Sequence, residues 1–229
     1  MSVNTDTISP APVLLRHDEG GIATLTLNRP EQYNALSEAL LNSLQHELDE
    51  IAGDVTLRIV IIAANGKAFC AGHDLKEMQA YEDSSTCQAL FDRCSRMMLS
   101  IHRLPQPVIA RVQGIATAAG CQLVANCDLA VAADDARFAV SGINAGLFCS
   151  TPAVPLSRNL LRKHAMQMLL TGDFISAQEA KARGLVNEVV TAEELEPATE
   201  SLAQKIGAKS AHAIQLGKDM FYKQLSMEL

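Results

Sequence analysis

The chain has 229 residues, a length that fits one large domain. Its formal net charge of -7 argues against a protein that its overall electrostatic field holds to nucleic acid or anionic lipid. No stretch approaches the roughly 18 consecutive apolar residues of a membrane span, so the composition favours a protein without a nucleic-acid or membrane partner.

The six cysteines form no CxxC pair and no zinc-type spacing with histidine. We therefore expect reduced thiols and no metal site. Residues 1–20 contain no apolar run of signal-peptide length and only one arginine, Arg16, so they predict a polar lead-in without a secretory signal or transit peptide. The expected location is the cytoplasm, or the mitochondrial matrix for a processed eukaryotic chain.

The first half of the chain alternates predicted strands and helices. Ile22–Leu27 alternates apolar residues with threonine, which is typical of a half-buried strand, and residues 37–52 repeat leucine and isoleucine at helical spacing. Continuous apolar runs predict buried strands at Ile59–Ala64, 107–112 and 128–133, and residues 75–103 have helical character. Strands separated by helices favour right-handed crossovers and an α/β fold.

The rest of the chain is predominantly helical in its pattern. Residues 156–170 predict a helix that Gly172 closes, and the spacing of Ser176 and Glu179 is that of a capping box. Two more helices are predicted at 192–206 and 211–229. We expect three parts: the lead-in 1–20, an α/β core at 21–190 and a helical C-terminal part at 191–229.

Three glycine-rich loops are candidate ligand sites because they follow the predicted buried strands. They span residues 66–74, 114–120 and 141–152. Their glycines and alanines permit close approach of a ligand to the main chain. A small-residue helix start is more often a device for close helix packing, so each loop alone is a weak signal.

The loops belong to a longer series of motifs at residues 28–36, 67–74, 107–114, 119–123, 127–128 and 170–173, with Ala180 and 184–185 after them. In these motifs and in their order along the chain, the sequence resembles the enoyl-CoA hydratase/isomerase (crotonase) family. Three runs, at 118–125, 146–152 and 221–225, are closest to one subgroup of that family.

The resemblance implies a fold and an assembly beyond what the pattern alone predicts. We expect an α/β crotonase (ClpP-like) spiral of ββα units in two nearly perpendicular sheets, with a helical C-terminal part. The family forms homotrimers or dimers of trimers and usually has further C-terminal helices, so we expect residues 191–229 to be a truncated version. Coenzyme A enters as part of an acyl-CoA thioester substrate, with no separate cofactor.

The resemblance also implies which positions hold the thioester. Two backbone amides, those of His73 and Ala119, are expected to polarise its carbonyl oxygen. Neither role depends on a particular side chain. The positions that match the coenzyme-binding part of the family are Arg29, as a candidate phosphate partner, and Ala35, Ala71, Asp74 and Lys76, near adenine and pantetheine.

Two substitutions set this chain apart from a hydratase of the family. Gln122 and Gly142 occupy the positions of the two glutamates that activate water and protonate the α-carbon. Glutamine can orient a water molecule but cannot accept its proton, and glycine can do neither. No Asp or Glu occurs between Arg111 and Cys127 or between Ala136 and Gly172. We therefore expect weak or absent hydration of enoyl-CoA.

Three classes of function stay open from the sequence. The chain is a hydratase-like enzyme of fatty-acid and acyl-CoA metabolism, a pseudoenzyme that binds acyl-CoA without turnover, or a catalyst of another reaction such as thioester hydrolysis. Cys149 and Ser150 are the candidate nucleophiles for hydrolysis. His73 is a candidate replacement base, although we favour use of its amide alone, with the ring toward solvent or the coenzyme.

Overall fold

The computed structural model describes residues 11–81, 83–225 and 227–228. The expected lead-in at 1–10 therefore lies outside the described residues. The strands are β1 (Leu14–Glu19), β2 (Ile22–Leu27), β3 (Ile59–Ala64), β4 (Ala68–Cys70), β5 (Val108–Val112), β6 (Ile115–Thr117), β7 (Leu129–Ala133), β8 (Arg137–Ala139), β9 (Ile175–Ser176) and β10 (Glu188–Val190). The helices are α1 (Glu38–Gly53), α2 (Leu75–Gln79), α3 (Ser84–Arg103), α4 (Ala119–Asn126), α5 (Ser150–Asn159), α6 (Arg162–Thr171), α7 (Ala177–Arg183), α8 (Leu195–Gly207) and α9 (Ala211–Gln224).

The strands form two sheets, and from β3 to β8 consecutive strands lie alternately in one sheet and the other. The large sheet has the order β1-β2-β3-β5-β7-β10, and the small sheet has the order β4-β6-β8-β9. The pairs β3/β4, β5/β6 and β7/β8 each place their first strand in the large sheet and their second strand in the small one. Helices follow each pair, so the described chain is the α/β arrangement of ββα units that we expected.

The central strands β3, β5 and β7 of the large sheet are buried on both faces, which explains their near-continuous apolar sequences. Val60 and Ile62 of β3 belong to the main core with α1 and α3, whereas Ile59, Ile61 and Ala63 belong to a second cluster with residues of α8. β2, β3, β5, β7 and β10 run parallel, and only β1 pairs in the antiparallel direction. The C-terminal part is therefore packed onto the core through α8.

Some predicted elements have different bounds in the structure. β1 lies inside the expected lead-in and pairs with β2 along its whole length. The helical stretch at 75–103 is two helices, because Asp83 starts α3 by accepting a hydrogen bond from Thr86 N. The helix predicted at 156–170 is also two helices. α5 ends at Asn159, whose side-chain amide donates to the Pro155 carbonyl, and α6 follows.

Helix α9 is fixed to the core by a buried ion pair. Lys218 Nζ donates to Asp128 Oδ2 at 2.6 Å and to the carbonyls of Ile101 and Gln106 at 3.0 Å, which uses all three of its protons. Tyr222 donates to Asp128 Oδ1 at 2.7 Å. Burial lowers the pKa of Lys218, and Asp128 opposes that shift. The three hydrogen bonds of Lys218 thus offset the cost of burying its charge in an apolar environment.

We predict that Lys218→Ala destabilises the protein by about 3–5 kcal/mol, because it leaves a buried carboxylate without its cation. The matched control is Lys223→Ala on the same helix, where the pair with Asp219 is exposed and is worth about 0–1 kcal/mol. Urea denaturation measures both. Equal losses of unfolding free energy for the two variants would contradict the role given to Lys218.

Candidate functional site

Three loops meet at one edge of the small sheet. β4, β6 and β8 are adjacent and parallel, so their carboxyl ends lie side by side. His73 lies three residues after β4, Ala119 two residues after β6 and Gly142 three residues after β8. The loops were expected to follow directly the buried strands that form the large sheet. That expectation is wrong, because the short strands of the small sheet intervene.

The His73 N–H of the first loop has no acceptor among the described residues. Its neighbours bond to Leu36, since Leu36 N donates to Gly72 O at 2.7 Å and Asp74 N donates to Leu36 O at 3.3 Å. Successive N–H groups of extended backbone point to opposite sides. The His73 N–H therefore points away from Leu36, as an oxyanion donor requires.

The second loop brings the Ala119 amide next to the first loop. Ala118 has a φ of 50° and a ψ of -121°, an unusual conformation for a residue with a side chain, and it directs the chain into α4. Ala119 is the first residue of that helix, so its N–H has no helical acceptor. A Cβ built on Gly72, whose φ is 97°, would lie 3.3 Å from Ala119 N and 2.9 Å from Ala118 Cβ. The two loops are in direct contact.

A cavity of about 560 Å³ opens where the loops meet. His73, Ala119, Gly142 and Ala71 line it, so four of the predicted site residues come together. Side chains from α2 and α3 complete the wall, including Met78, Gln88 and Phe91, and no motif in the sequence had marked them. Among the described residues that line the cavity there is no Asp, Glu, Lys or Arg. The cavity is consequently uncharged.

The imidazole of His73 belongs to the cavity wall. Its ring lies 5.2 Å from the Phe91 ring in an edge-to-face arrangement, and both ring nitrogens are buried without a hydrogen-bond partner in the described structure. Burial lowers the pKa of His73 to about 4, so the ring is neutral at pH 7. Of the two expected orientations of the ring, the one toward solvent is wrong and the one toward the coenzyme stays a prediction. A proton-transfer role for the ring stays a prediction.

Gln122 lies behind the cavity wall. It is one helical turn after Ala119, on the same face of α4, and only 4% of its surface is exposed. Its Oε1 has no hydrogen-bond partner among the described residues. It does not itself line the cavity, in contrast to Gly142. A buried amide oxygen without a partner is costly, which suits a position that meets a ligand or water.

Gly142 is held in a space that admits no side chain. A Cβ at this position would lie 2.6 Å from Cys149 Sγ and 2.8 Å from Leu147 O. Burial raises the pKa of the Cys149 thiol, and the neighbouring Gly142 N–H opposes the shift. Ser150, the other candidate nucleophile, is exposed at the first position of α5.

The residues expected near the coenzyme lie beside the first loop. Arg29 bonds to Asp74 Oδ2 at 2.9 Å and to the Ala35 carbonyl at 2.6 Å, with little exposure of either charged side chain. Asp74 also caps α2. Burial favours a higher pKa for Asp74, but the Arg29 guanidinium and the Glu77 and Lys76 N–H groups outweigh it, and the pKa is lowered.

Because Arg29 is paired with Asp74, Lys76 is the exposed cation among the residues predicted to bind the coenzyme. Arg29, Ala35, Asp74 and Lys76 do not line the cavity, and their contact with a coenzyme stays a prediction.

No group of three or more described His, Cys, Asp or Glu residues is arranged to hold a metal ion. None of the described helices combines the length and apolar character needed to cross a membrane.

Comparison with known proteins decides the family. The sequence profile described as Enoyl-CoA hydratase/isomerase matches residues 17–229. The chain belongs to the enoyl-CoA hydratase/isomerase family. Enoyl-CoA hydratase domain-containing protein 3, mitochondrial, of Xenopus laevis is 47% identical over 218 residues, which are 95% of this chain and 74% of that relative.

Solved structures of the enoyl-CoA hydratase/isomerase family confirm the predicted crotonase fold. The crystal structure of an enoyl-CoA hydratase from Mycobacterium smegmatis has a TM-score of 0.94 and 58% identity, and the match covers 96% of this chain and 86% of that chain. Human enoyl-CoA hydratase domain-containing protein 3 has a TM-score of 0.92 and 46% identity over 95% and 86% of the two chains. The subgroup that the runs at 118–125, 146–152 and 221–225 resemble bears this same name.

We predict that Gly142→Ala destabilises this family member by about 1–3 kcal/mol, because the new methyl group overlaps Cys149 Sγ and the Leu147 carbonyl. Cys149→Ala should recover part of the loss in the double variant. The control is Gly217→Ala in α9, where a Cβ meets nothing within 4 Å and a gain of up to about 1 kcal/mol is expected. Additive effects of the Gly142 and Cys149 changes would refute the contact.

Proposed function

We propose that the chain binds an acyl-CoA thioester, with the carbonyl oxygen at the His73 and Ala119 N–H groups, and hydrates enoyl-CoA weakly or not at all. The observation that carries the proposal is an uncharged cavity beside two N–H groups that have no acceptor in the described part of the chain. Such amides favour an oxygen that gains negative charge in the transition state. They also favour a polarised carbonyl oxygen in the bound state.

The cavity has the properties of an acyl-group site. Its volume is in the range of small-molecule pockets, and the apolar side chains of Met78, Phe91 and Leu147 form part of its wall. The coenzyme would extend past Ala71 toward Ala35, Asp74 and Lys76. For Arg29 to contact a phosphate, its bonds to Asp74 and Ala35 would have to be exchanged.

Hydration requires a group that accepts a proton from water and a group that donates one to the α-carbon. Gln122 has no acidic proton to exchange, and Gly142 has no side chain. This absence equally supports the second candidate, an acyl-CoA-binding pseudoenzyme. Thioester hydrolysis by Cys149 is less well supported, because the raised pKa keeps its thiol protonated at pH 7.

The proposal implies a setting in acyl-CoA metabolism with no separate cofactor, since coenzyme A arrives with the substrate. The vertebrate relatives carry "mitochondrial" in their names, and we place this chain in the cytoplasm or, if it is a processed eukaryotic protein, in the mitochondrial matrix. We also propose a homotrimer or dimer of trimers, as the sequence resemblance implies. Light scattering during size-exclusion chromatography measures that assembly.

We predict that the purified protein hydrates crotonyl-CoA at least about 10³-fold more slowly than a family member with both glutamates. Loss of the enoyl-thioester absorbance measures the rate. Gln122→Glu should increase it, because a carboxylate next to Ala119 can accept a proton. Gln122→Leu is the matched control without an acid and should give no increase.

Gly142→Glu is unsuitable for the same test because Cys149 Sγ occupies the necessary space. Turnover by the unmodified chain close to that of the two-glutamate relative would show that the assignment of Gln122 and Gly142 is wrong. Release of free thiol from crotonyl-CoA would instead support hydrolysis.

We predict that Ala119→Pro weakens polarisation of a bound thioester. Proline is tolerated at the first position of a helix but has no N–H. The measurement is the ¹³C chemical shift of carbonyl-labelled butyryl-CoA, which two N–H donors should move downfield on binding. Ala211→Pro is the control, since Ala211 is the exposed first residue of α9. The same bound shift in both variants would exclude Ala119 as a donor.

A further inference from the structure

Cys149 occupies the space that a side chain at position 142 would fill. Its Sγ lies 2.6 Å from the site of a Cβ on Gly142 and is therefore packed directly against the Gly142 main chain. Both Cys149 and Gly142 line the same cavity as His73 and Ala119. The thiol and the proposed thioester site consequently share one uncharged space.

The other described cysteines have different surroundings. Cys70, Cys94, Cys121 and Cys127 are buried in the core, where burial raises their pKa values. Cys87 lies on α3 and does not line the cavity. Cys149 is partly exposed, precedes the first residue of the ten-residue helix α5 and faces the cavity. Among the six, it alone combines access with a substrate-sized space.

A second observation supports a polar ligand in this space. Both nitrogens of His73, which lines the cavity, are buried and have no hydrogen-bond partner in the described structure. They lack the hydrogen bonds that a bound thioester or its water would supply. Gln122 lies behind the wall on the Ala119 face of α4, is more than nine-tenths buried and has an Oε1 without a partner among the described residues. Helical side chains incline toward the N-terminus of their helix, which here is the end at the cavity.

We infer that Cys149 is a covalent attachment site for α,β-unsaturated acyl-CoA thioesters, formed by conjugate addition of its thiol to the β-carbon. The inference rests on the proposed binding of acyl-CoA in this cavity. A saturated acyl-CoA binds in the same place but has no electrophilic β-carbon. The selectivity for the unsaturated ligand therefore comes from the chemistry of the step.

The addition is balanced without any further reactant. The S–H bond of Cys149 and the carbon–carbon π bond break, and an S–C bond forms at the β-carbon. The π electrons move to the α-carbon and the thioester oxygen, where the His73 and Ala119 N–H groups stabilise the enolate. The thiol proton ends on the α-carbon. The product is a thioether that retains the whole coenzyme A, and nothing is oxidised, reduced or expelled.

The reactive form of the thiol sets a pH dependence. Burial raises the pKa of Cys149, so only a small fraction is thiolate at pH 7. The titratable groups around it are the neutral His73 ring, which lines the same cavity, and the buried Cys121 thiol of α4, whose pKa Cys149 helps to raise, and no described carboxylate or amine lines that space. The rate of addition should rise about tenfold per pH unit until the pH reaches the thiol pKa.

The test incubates the full chain with crotonyl-CoA at pH 7, 8 and 9 and measures the intact mass. Butyryl-CoA is the saturated control, and equilibrium dialysis measures the binding of both thioesters. We expect a gain equal to the mass of crotonyl-CoA, located in tryptic peptide 138–158, in which Cys149 is the only cysteine. Cys149→Ser and Cys149→Ala should lose the adduct, and Cys87→Ser should keep it. Circular dichroism checks that each variant is folded.

The outcomes separate this inference from the proposed function. Binding of both thioesters without an adduct up to pH 9 overturns the inference and leaves acyl-CoA binding intact. A gain of the crotonyl group alone means acyl transfer and also overturns it, as does an adduct on another cysteine. If neither thioester binds, the inference and the proposed function both fail.

Discussion

The parallel pairing of three very short strands is the constraint on which the site depends. β4, β6 and β8 have three residues each, and their adjacency fixes where the chain turns into the loops of His73, Ala119 and Gly142. Gly72 then allows the first two loops to touch. The large sheet and its helices supply the hydrophobic stabilisation that such small strands cannot provide alone.

The sequence predicted β2, β3, β5 and β7 of the large sheet and none of the strands of the small sheet, and strand length is the main physical reason. A strand covered on both faces, such as β3, is a continuous apolar run that stands out from its neighbours. A strand of three residues has neither a run nor a measurable alternation. β1 was missed for another reason: four of its six side chains are exposed, so its sequence resembles a polar lead-in.

The candidate site, like the fold, was predicted only in part. The glycine-rich motifs predicted where main chain approaches main chain, and the family match supports the fold to which those motifs belong. The contacts that change the chemistry are between side chains distant in sequence or in different elements. Arg29 meets Asp74 across 45 residues, and Phe91 of α3 meets the His73 ring. No local pattern contains such pairs, so only the tertiary structure shows them.

The geometry also explains how binding and acid–base chemistry can be separated in this fold. The thioester contacts proposed for His73 and Ala119 use backbone N–H groups, which persist when side chains change. Proton transfer needs a titratable side chain at a particular place. The space for a side chain at position 142 is filled by Cys149 Sγ. A carboxylate at this position would overlap that sulfur and approach the Leu147 carbonyl. The loop would have to accommodate both groups, so the proposed lack of an acid at position 142 would follow from the packing of the loop as well as from its sequence.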